Sequence, residues 1–486
     1  MNYRLLSKYV AIVMQSQAAF MAIPLVYSVF LRAWPAVEGF AGTIVLLIII
    51  SLILRGAGSP ERGIIYIKEG FALVAVCWIV VSLFGSLPFW ISQEIPDFID
   101  ALFESVSGFT TTGATVLGNV EGLSDGMLLW RSLTHWIGGV GVLVFILALV
   151  PALTGADERS VNVLRAELSG PAPGKLVPKL RQSAKILIGI YVSLTALQVV
   201  FLLFGGMPLL DSISTAFSTA GTGGFAIKNA SMAAYNSPYL YIVVAIFMLL
   251  FGISFNIYYF LLIRNIKGVV KNEELRVYLI IVAASTLVIS MDLYHKFYQN
   301  FSESLLQSFF QVSSIITTTG FASTNFDLWP TLSKTILLVL MLLGACSGST
   351  GGGIKISRLI ILVKEARRIL FRIGHPRAVE VVKLDGKKVD RTTVHAVSAF
   401  FSTYVMIYFA SFLLVAFDNH GLDTTITSVL ACLTNVGPGF GEVGPLGNFG
   451  HFSIPSKIVL SLDMLLGRLE IYPILLLLSP RSWRKI

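Results

Sequence analysis

The sequence predicts an all-α polytopic membrane protein. Four helix–re-entrant pore loop–helix repeats surround a pseudo-fourfold pore, and two N-terminal helices precede them. Three observations carry this. Of 486 residues, 55% are hydrophobic and only 13% are charged, with a mean hydropathy of +0.78, whereas soluble domains carry about 25% charged residues. Four short Thr/Gly-rich segments recur at roughly hundred-residue intervals, each between membrane-length apolar runs. Basic loops alternate with acid-leaning ones along the chain.

The apolar runs come in order at 9–31, 39–54, 71–92, 128–152, 184–206, 238–263, 276–291, 333–345, 397–417 and 456–478. A stretch of about 20 apolar residues spans a bilayer. The run at 333–345 is short and resumes as an apolar, basic helix at 356–371. No cleavable signal peptide is expected, because the first run is too long and lacks a small-residue cleavage site. Cys77, Cys346 and Cys432 are isolated thiols in apolar surroundings, with neither metal spacing nor a disulfide framework.

The net charge is +9, and its placement tells more than its size. Basic groups collect at Arg4 and Lys8, at Arg55, Arg62 and Lys68, from Arg159 to Lys185, from Arg264 to Arg276, from Lys355 to Arg391, and at Arg481, Arg484 and Lys485. Between them lie Asp97, Asp100, Glu104, Glu121, Asp125, Asp211, Glu303, Asp327, Asp418, Asp423 and Glu442. Lys/Arg-rich loops stay cytoplasmic, so both termini and every basic loop are expected inside. Charge set between membrane spans also argues against a nucleic-acid surface.

Parity then fixes the Thr/Gly segments. In the unit 68–155, two spans connect one basic loop to the next. The stretch 97–113 is too short and polar for a third span, which would also put the next basic loop outside. It must enter from the outside and return there. The same holds for 207–224 and 420–437, and for 300–320 if the second helix of that unit is broken. The units are thus 1–67 (two N-terminal helices), 68–155, 156–267, 268–372, a basic cytoplasmic loop 373–392, and 393–486. Each re-entrant stretch opens on polar or acidic residues: Asp97 and Asp100, Asp211 and Ser212, Ser302 and Glu303, Asp423 and Thr424. These suit the N-terminus of a half-helix.

After each half-helix comes Thr110-Thr111-Thr112-Gly113, Ala220-Gly221-Thr222-Gly223-Gly224, Thr317-Thr318-Thr319-Gly320 or Thr434-Asn435-Val436-Gly437. Non-helical backbone at membrane depth is tolerated only when buried in protein or lining a wet cavity. A fourfold ring of backbone carbonyls replaces the hydration shell of potassium, and glycine permits the backbone turn. One chain would carry all four quarters. In the second, the key glycine is Gly223 or Gly224; counting back to the aspartate, as from Gly113 to Asp100, favours Gly224.

Three further features accompany this ring. The run Gly344-Ala345-Cys346-Ser347-Gly348-Ser349-Thr350-Gly351-Gly352-Gly353, followed by Lys355, interrupts the second helix of the third unit, where glycine opposes helix. It lacks P-loop spacing and reads as an intramembrane gating loop. Arg468 lies deep in the last apolar run, where a charge is costly and faces protein or water; Asp463 and Glu470 could pair with it. The basic loop 355–391 reads as a docking surface for a regulator, with a turn at Gly374-His375-Pro376 and a small hairpin at Lys383–Lys387. No enzyme site is expected: the six histidines do not cluster and no Gly-x-Ser-x-Gly elbow occurs in a strand–helix setting.

These segments resemble the Trk/Ktr/HKT superfamily of potassium transporters, most of all the membrane subunits of bacterial Trk systems. The motifs are Ser107-Gly108-Phe109-Thr110-Thr111-Thr112-Gly113-Ala114-Thr115, Gly223-Gly224-Phe225, Thr317-Thr318-Thr319-Gly320-Phe321 and Asn435-Val436-Gly437-Pro438-Gly439. Arg131-Ser132-Leu133-Thr134-His135-Trp136-Ile137-Gly138-Gly139 is also similar, and the two N-terminal helices match the Trk branch rather than Ktr. The resemblance implies a filter selecting potassium and rubidium, with the glycine-rich break as gate and Arg468 opposing passage. It implies a homodimer with one pore per protomer in the bacterial inner membrane. It also implies a cytoplasmic TrkA-like ring of RCK domains that binds nucleotide, so that no nucleotide binds this chain. A carrier coupling potassium to protons or sodium is the competing reading; few buried acids on membrane helices beyond Asp463 and Glu470 count against it.

Overall fold

The computed structural model describes residues 3–57, 67–153, 180–378 and 380–479. The basic loops at 58–66 and 154–179, and Arg481, Arg484 and Lys485, lie outside the described residues. An N-terminal hairpin of α1 (Tyr3–Phe30) and α2 (Trp34–Ala57) precedes four units. The first holds α3 (Ile67–Ile91), the half-helix α4 (Phe98–Phe109) and α5 (Asp125–Leu153). The second holds α6 (Leu180–Phe204), the half-helix α7 (Leu209–Gly221), α8 (Pro238–Gly252) and α9 (Phe255–Leu262), with the short α10 (Ile266–Lys271) leading on. The third holds α11 (Glu273–Leu293), the half-helix α12 (Phe301–Ile316), α13 (Thr331–Leu343) and α14 (Ile356–Gly374). The fourth holds α15 (Arg391–Val415), the half-helix α16 (Leu422–Thr434), α17 (Ile454–Arg468) and α18 (Tyr472–Leu478).

Among the described residues, six helices are long and apolar enough to cross a membrane, or seven if α8 and α9 count as one bent span. Polarity is distributed as lipid requires. Phe30, Phe204 and Phe417 are more than four-fifths exposed, while Thr110, Thr112, Thr317, Thr319, Thr434 and Asn435 are fully buried. Apolar rings face outward where lipid is the solvent, and hydroxyls and backbone turn inward where protein can satisfy them.

Two expectations fail here. The run 238–263 is not one helix: α8 and α9 meet at 89°. The run 456–478 is interrupted as well, at Leu469–Ile471. There the Tyr472 N–H bonds back to the Glu470 carbonyl (2.8 Å) across Ile471, whose φ is +70° and ψ −57°. That is a γ-turn of the rare positive-φ kind, strained for a β-branched residue and sustained only by its surroundings. The first break contains neither a proline nor a glycine pair and is made by tertiary contacts described below; the second lies just ahead of Pro473, which cannot continue the helix through Leu469 and instead sits in the first turn of α18.

The capping expectation holds for the first half-helix, where Asp97 accepts from the Ile99 and Asp100 N–H groups (2.8 and 3.0 Å). Elsewhere the backbone positions before the half-helices are Pro208, Asn300 and Gly421, none with a side-chain cap. Asp211, Glu303 and Asp423 sit instead within the first turn, where a negative charge still complements the dipole. The predicted hairpin forms: Leu384 pairs with Lys387 in an antiparallel ladder. Its Asp385-Gly386 turn has positive φ at both residues (52° and 75°), which selects that dipeptide. Asp385 also accepts from the Glu273 N–H at the start of α11 (2.7 Å).

Candidate functional site: a fourfold ring of Thr/Gly segments above a glycine-rich loop

All four half-helices end in the same way. The N–H groups of Thr111, Thr222, Thr318 and Asn435 reach back three residues, to Gly108, Thr219, Ile315 and Cys432 (3.0–3.2 Å). The next N–H groups, of Thr112, Gly223, Thr319 and Val436, reach back five, to Ser107, Ser218, Ser314 and Ala431 (2.8–2.9 Å). This pair of bonds is a Schellman ending, which needs a left-handed residue. Thr111, Thr222, Thr318 and Asn435 supply it, with φ of 54–59°. Threonine there is strained; asparagine tolerates the conformation better.

Two residues on, φ is positive again at Gly113, Gly224, Gly320 and Gly437 (81°, 76°, 84° and 94°). Their α-carbons lie against the neighbouring quarter. A Cβ on Gly113 would strike the Gly223 carbonyl oxygen. One on Gly224 would strike that of Thr319, one on Gly320 that of Val436, and one on Gly437 that of Thr112 (2.5 Å). The contacts run from quarter 1 to 2, 2 to 3, 3 to 4 and 4 back to 1, which is a closed ring.

This ring fixes the register of the second quarter. Gly224 is equivalent to Gly113, Gly320 and Gly437, and Gly221 to Thr110, Thr317 and Thr434. Ala220 therefore falls one residue too early; it is buried in the last turn of α7, at the level of Phe109, Ile316 and Leu433. Asn435 donates to the Thr112 hydroxyl and to the Met464 carbonyl (both 2.9 Å), tying the fourth quarter to the first. The Thr110–Thr112 and Thr317–Thr319 hydroxyls pair at 2.8 Å.

Outside the ring, neighbouring units also meet in sequence. Asn229 accepts from the Val120 N–H (2.7 Å), the Ala233 N–H meets the Ala322 carbonyl (3.2 Å), Phe326 packs on Phe440 (5.7 Å), and the Phe449 N–H meets the Thr115 carbonyl (2.7 Å). Arg131 is a buried hub. It pairs with Glu104 at 2.7 Å, donates to the Ala226 carbonyl (3.1 Å) and lies 4.0 Å over the Phe225 ring, which itself stacks on His135 (4.2 Å). Its sequence signals were its place at the head of the family-like Arg131–Gly139 motif and a glutamate in a re-entrant helix; neither paired the two.

The glycine-rich loop sits against one side of the ring. The Gly352 N–H donates to the Thr318 hydroxyl (2.7 Å), a Cβ on Gly352 would strike the Thr434 carbonyl oxygen, and one on Gly351 would stand 3.0 Å from that of Thr317. Gly344, Gly348 and Gly353 have positive φ (68°, 72° and 74°), as does Lys355 (78°), whose Nζ folds back onto the Gly351 carbonyl. The break in unit two is built against this loop. The Gly252 carbonyl takes the Cys346 N–H (3.1 Å), and the Phe255 N–H goes to the Gly348 carbonyl (3.0 Å). Each break thus satisfies backbone groups that the other exposes, as membrane depth demands. Buried Glu274 accepts from the Ser347 and Ser357 N–H groups (2.7 and 3.0 Å), fastening both ends of the loop. No local pattern in the sequence marked it.

Among the described residues, Arg468 makes no ion pair with an acid. Its guanidinium donates to the Thr350 carbonyl of the loop (2.7 Å) and to the Gly138 carbonyl of α5 (2.8 Å). Asp463 is taken by the Ser411 hydroxyl (2.7 Å), and Glu470 pairs with Arg358 (2.5 Å), which also lies 4.0 Å over Phe400. The sequence placed the right charges together but could not assign their partners. Cys77, Cys346 and Cys432 are free and buried, as expected.

A family model described as TrkH, cation transport protein, matches residues 38–485. The Trk system potassium uptake protein TrkH of Salmonella typhimurium is 35% identical, covering 100% of both chains. The Trk system potassium uptake protein TrkG of Escherichia coli K12 is 35% identical over 86% of each. The crystal structure of the potassium transporter TrkH from Vibrio parahaemolyticus matches with a TM-score of 0.88 at 32% identity, again over 100% of both chains. A multi-pass helical chain with this ring and this full-length similarity belongs to the TrkH family of cation transport proteins.

Proposed function

We propose that the chain is the permeation subunit of a Trk-type potassium uptake system. Potassium passes through the four-segment ring, and the glycine-rich loop closes the path below it. The observation that carries this is the closed cycle of glycine–carbonyl contacts from Gly113 through Gly224 and Gly320 to Gly437. Left-handed residues alternate with others along each segment, so its carbonyls can line an axis and replace the hydration shell of a potassium ion. The four half-helices point their C-terminal, partially negative ends at that axis, which favours a cation without a full charge to trap it. The ion is cargo, and the chain acts as a transporter with no chemical step.

The loop spans the inner side of quarters three and four, and Arg468 adds a positive charge beside it. Opening then means withdrawing the loop from Thr318 and Thr434, with Gly344 and Gly353 as the positions that absorb the backbone change. The exposed basic face of α14, with Arg367 and Arg372, continues directly from the loop. It suits a cytoplasmic TrkA-like ring of RCK domains, which would hold the nucleotide; the chain itself would pair as a homodimer in the bacterial inner membrane with both termini inside.

The test is radiotracer rubidium uptake into proteoliposomes holding this chain alone, driven by an outward potassium gradient, with sodium and proton gradients clamped at zero. Uptake blocked by excess potassium but not by sodium is expected. Uptake appearing only with a proton or sodium gradient would favour the coupled carrier. One observation gives that second reading a place to start: Asp463 is buried in α17, and one of its carboxylate oxygens has no partner among the described residues.

A further inference from the structure

The sequence gives no reason to group the histidines, yet the fold brings two of them to one acid. His420 lies just before α16, Glu442 five residues after the ring glycine Gly437, and His451 just before α17. His420 Nδ1 and His451 Nε2 each stand 3.0 Å from the same oxygen, Glu442 Oε2. The possible donor atoms of all three lie within 4.8 Å of one another. The two imidazoles meet edge-on at 4.7 Å, and both pack against the buried Phe452 ring (4.7 and 4.6 Å). That packing fixes their orientation, while Glu442 stays half exposed and adjustable.

We propose that His420, Glu442 and His451 form a binding site for one transition-metal dication of the zinc class, on the outer face of the fourth unit. Two imidazoles and one carboxylate, with water completing a tetrahedron, are a donor set that zinc accepts. Metal–ligand distances of about 2.0–2.2 Å require the two 3.0 Å nitrogen–oxygen contacts to open by a few tenths of an ångström and the two nitrogens, at most 4.8 Å apart, to settle at a similar spacing. The half-exposed Glu442 side chain is the one free to adjust. Imidazole disfavours magnesium and calcium, which prefer oxygen. All three ligands come from loops on the side opposite the Lys/Arg-rich ones, so the metal would arrive from outside. Bound, it would join the approach to the α16 half-helix, the segment leaving the ring and the start of α17.

The experiment is zinc binding to the purified, tag-free full-length chain in detergent, by isothermal titration calorimetry. Cobalt absorption serves as a second readout of four-coordinate geometry. One zinc per chain is expected, undisplaced by excess magnesium or calcium. His420→Ala and His451→Ala should each weaken it at least about 10-fold, and Glu442→Gln should shift the cobalt spectrum. Monodisperse gel filtration and rubidium uptake of the variants establish that they fold. Absence of saturable zinc binding in the parent chain would overturn the proposal. So would equal binding by the folded His420→Ala/His451→Ala double variant, and so would binding that magnesium competes away.

Discussion

Gly437→Ala tests the ring most sharply. At φ = 94°, glycine is the residue that pays nothing for its backbone, and an L-residue there costs about 1–2 kcal/mol. The added methyl would also stand 2.5 Å from the Thr112 carbonyl oxygen, where real Cβ atoms essentially never come within 3.0 Å. The Thr112 carbonyl, or the whole fourth segment, must therefore move by about half an ångström. Gly206→Ala supplies the control: its φ is 78°, so the backbone cost is similar, but nothing lies within 4 Å of the new methyl. In rubidium uptake with potassium and sodium competition, Gly437→Ala should lose about 10-fold or more in rate, and sodium should become a better competitor. Gly206→Ala should keep the parent selectivity and lose only stability, a factor of about 5–30 in the folding equilibrium. Unchanged uptake and potassium preference in inserted Gly437→Ala would refute the ring as the selective element.

Three other outcomes follow. Arg468→Ala removes two charged hydrogen bonds, to Thr350 and Gly138, each worth about 1.5–3 kcal/mol; basal rubidium uptake without any regulator should rise several-fold, with Arg468→Lys intermediate. Glu104→Gln leaves Arg131 buried without its partner, a loss of about 3–5 kcal/mol; the melting temperature in detergent should fall, and Glu104→Leu with Arg131→Met should recover much of it. The Asn229 N–H, with Lys228 nearby, holds the Glu121 carboxyl below its ordinary value of 4.5. A depressed carboxyl stabilises the fold above its unfolded pKa and stops doing so as pH falls through the folded one. The parent should therefore outlast Glu121→Gln in melting experiments at neutral pH, with the difference shrinking once the pH falls below about 4.5 and vanishing below the lower folded value; a constant difference would show that the tie between units one and two is not ionic.

Much of this architecture was written in composition and spacing. Lipid demands apolar spans and permits irregular backbone only inside the protein, so four Thr/Gly segments between apolar runs could only be re-entrant. Charge alternation supplied the parity. Glycine content marked the break in the third unit, since glycine opposes helix within its own few residues.

The bend in the second unit left no such mark. The bend at Ile253–Ser254 exists because the glycine-rich loop offers Cys346 N–H and the Gly348 carbonyl to the groups it frees. At the other break Pro473 gave a local reason for the helix to stop, but nothing local selects a positive φ at a β-branched Ile471. The second quarter's register was open between Gly223 and Gly224 because a count along one strand of sequence cannot see a neighbouring carbonyl. The contact of Gly224 with Thr319 decided it, and put Ala220 back into a helix. Sequence alone determined the class of molecule, the number of quarters and the residues that could line a path, because these follow from local backbone chemistry and the solvent. Only the tertiary structure decided which carbonyl meets which glycine, where Arg468 spends its charge, and that His420 and His451 share Glu442. Those depend on groups tens to hundreds of residues apart, which meet only when the four units close around one axis.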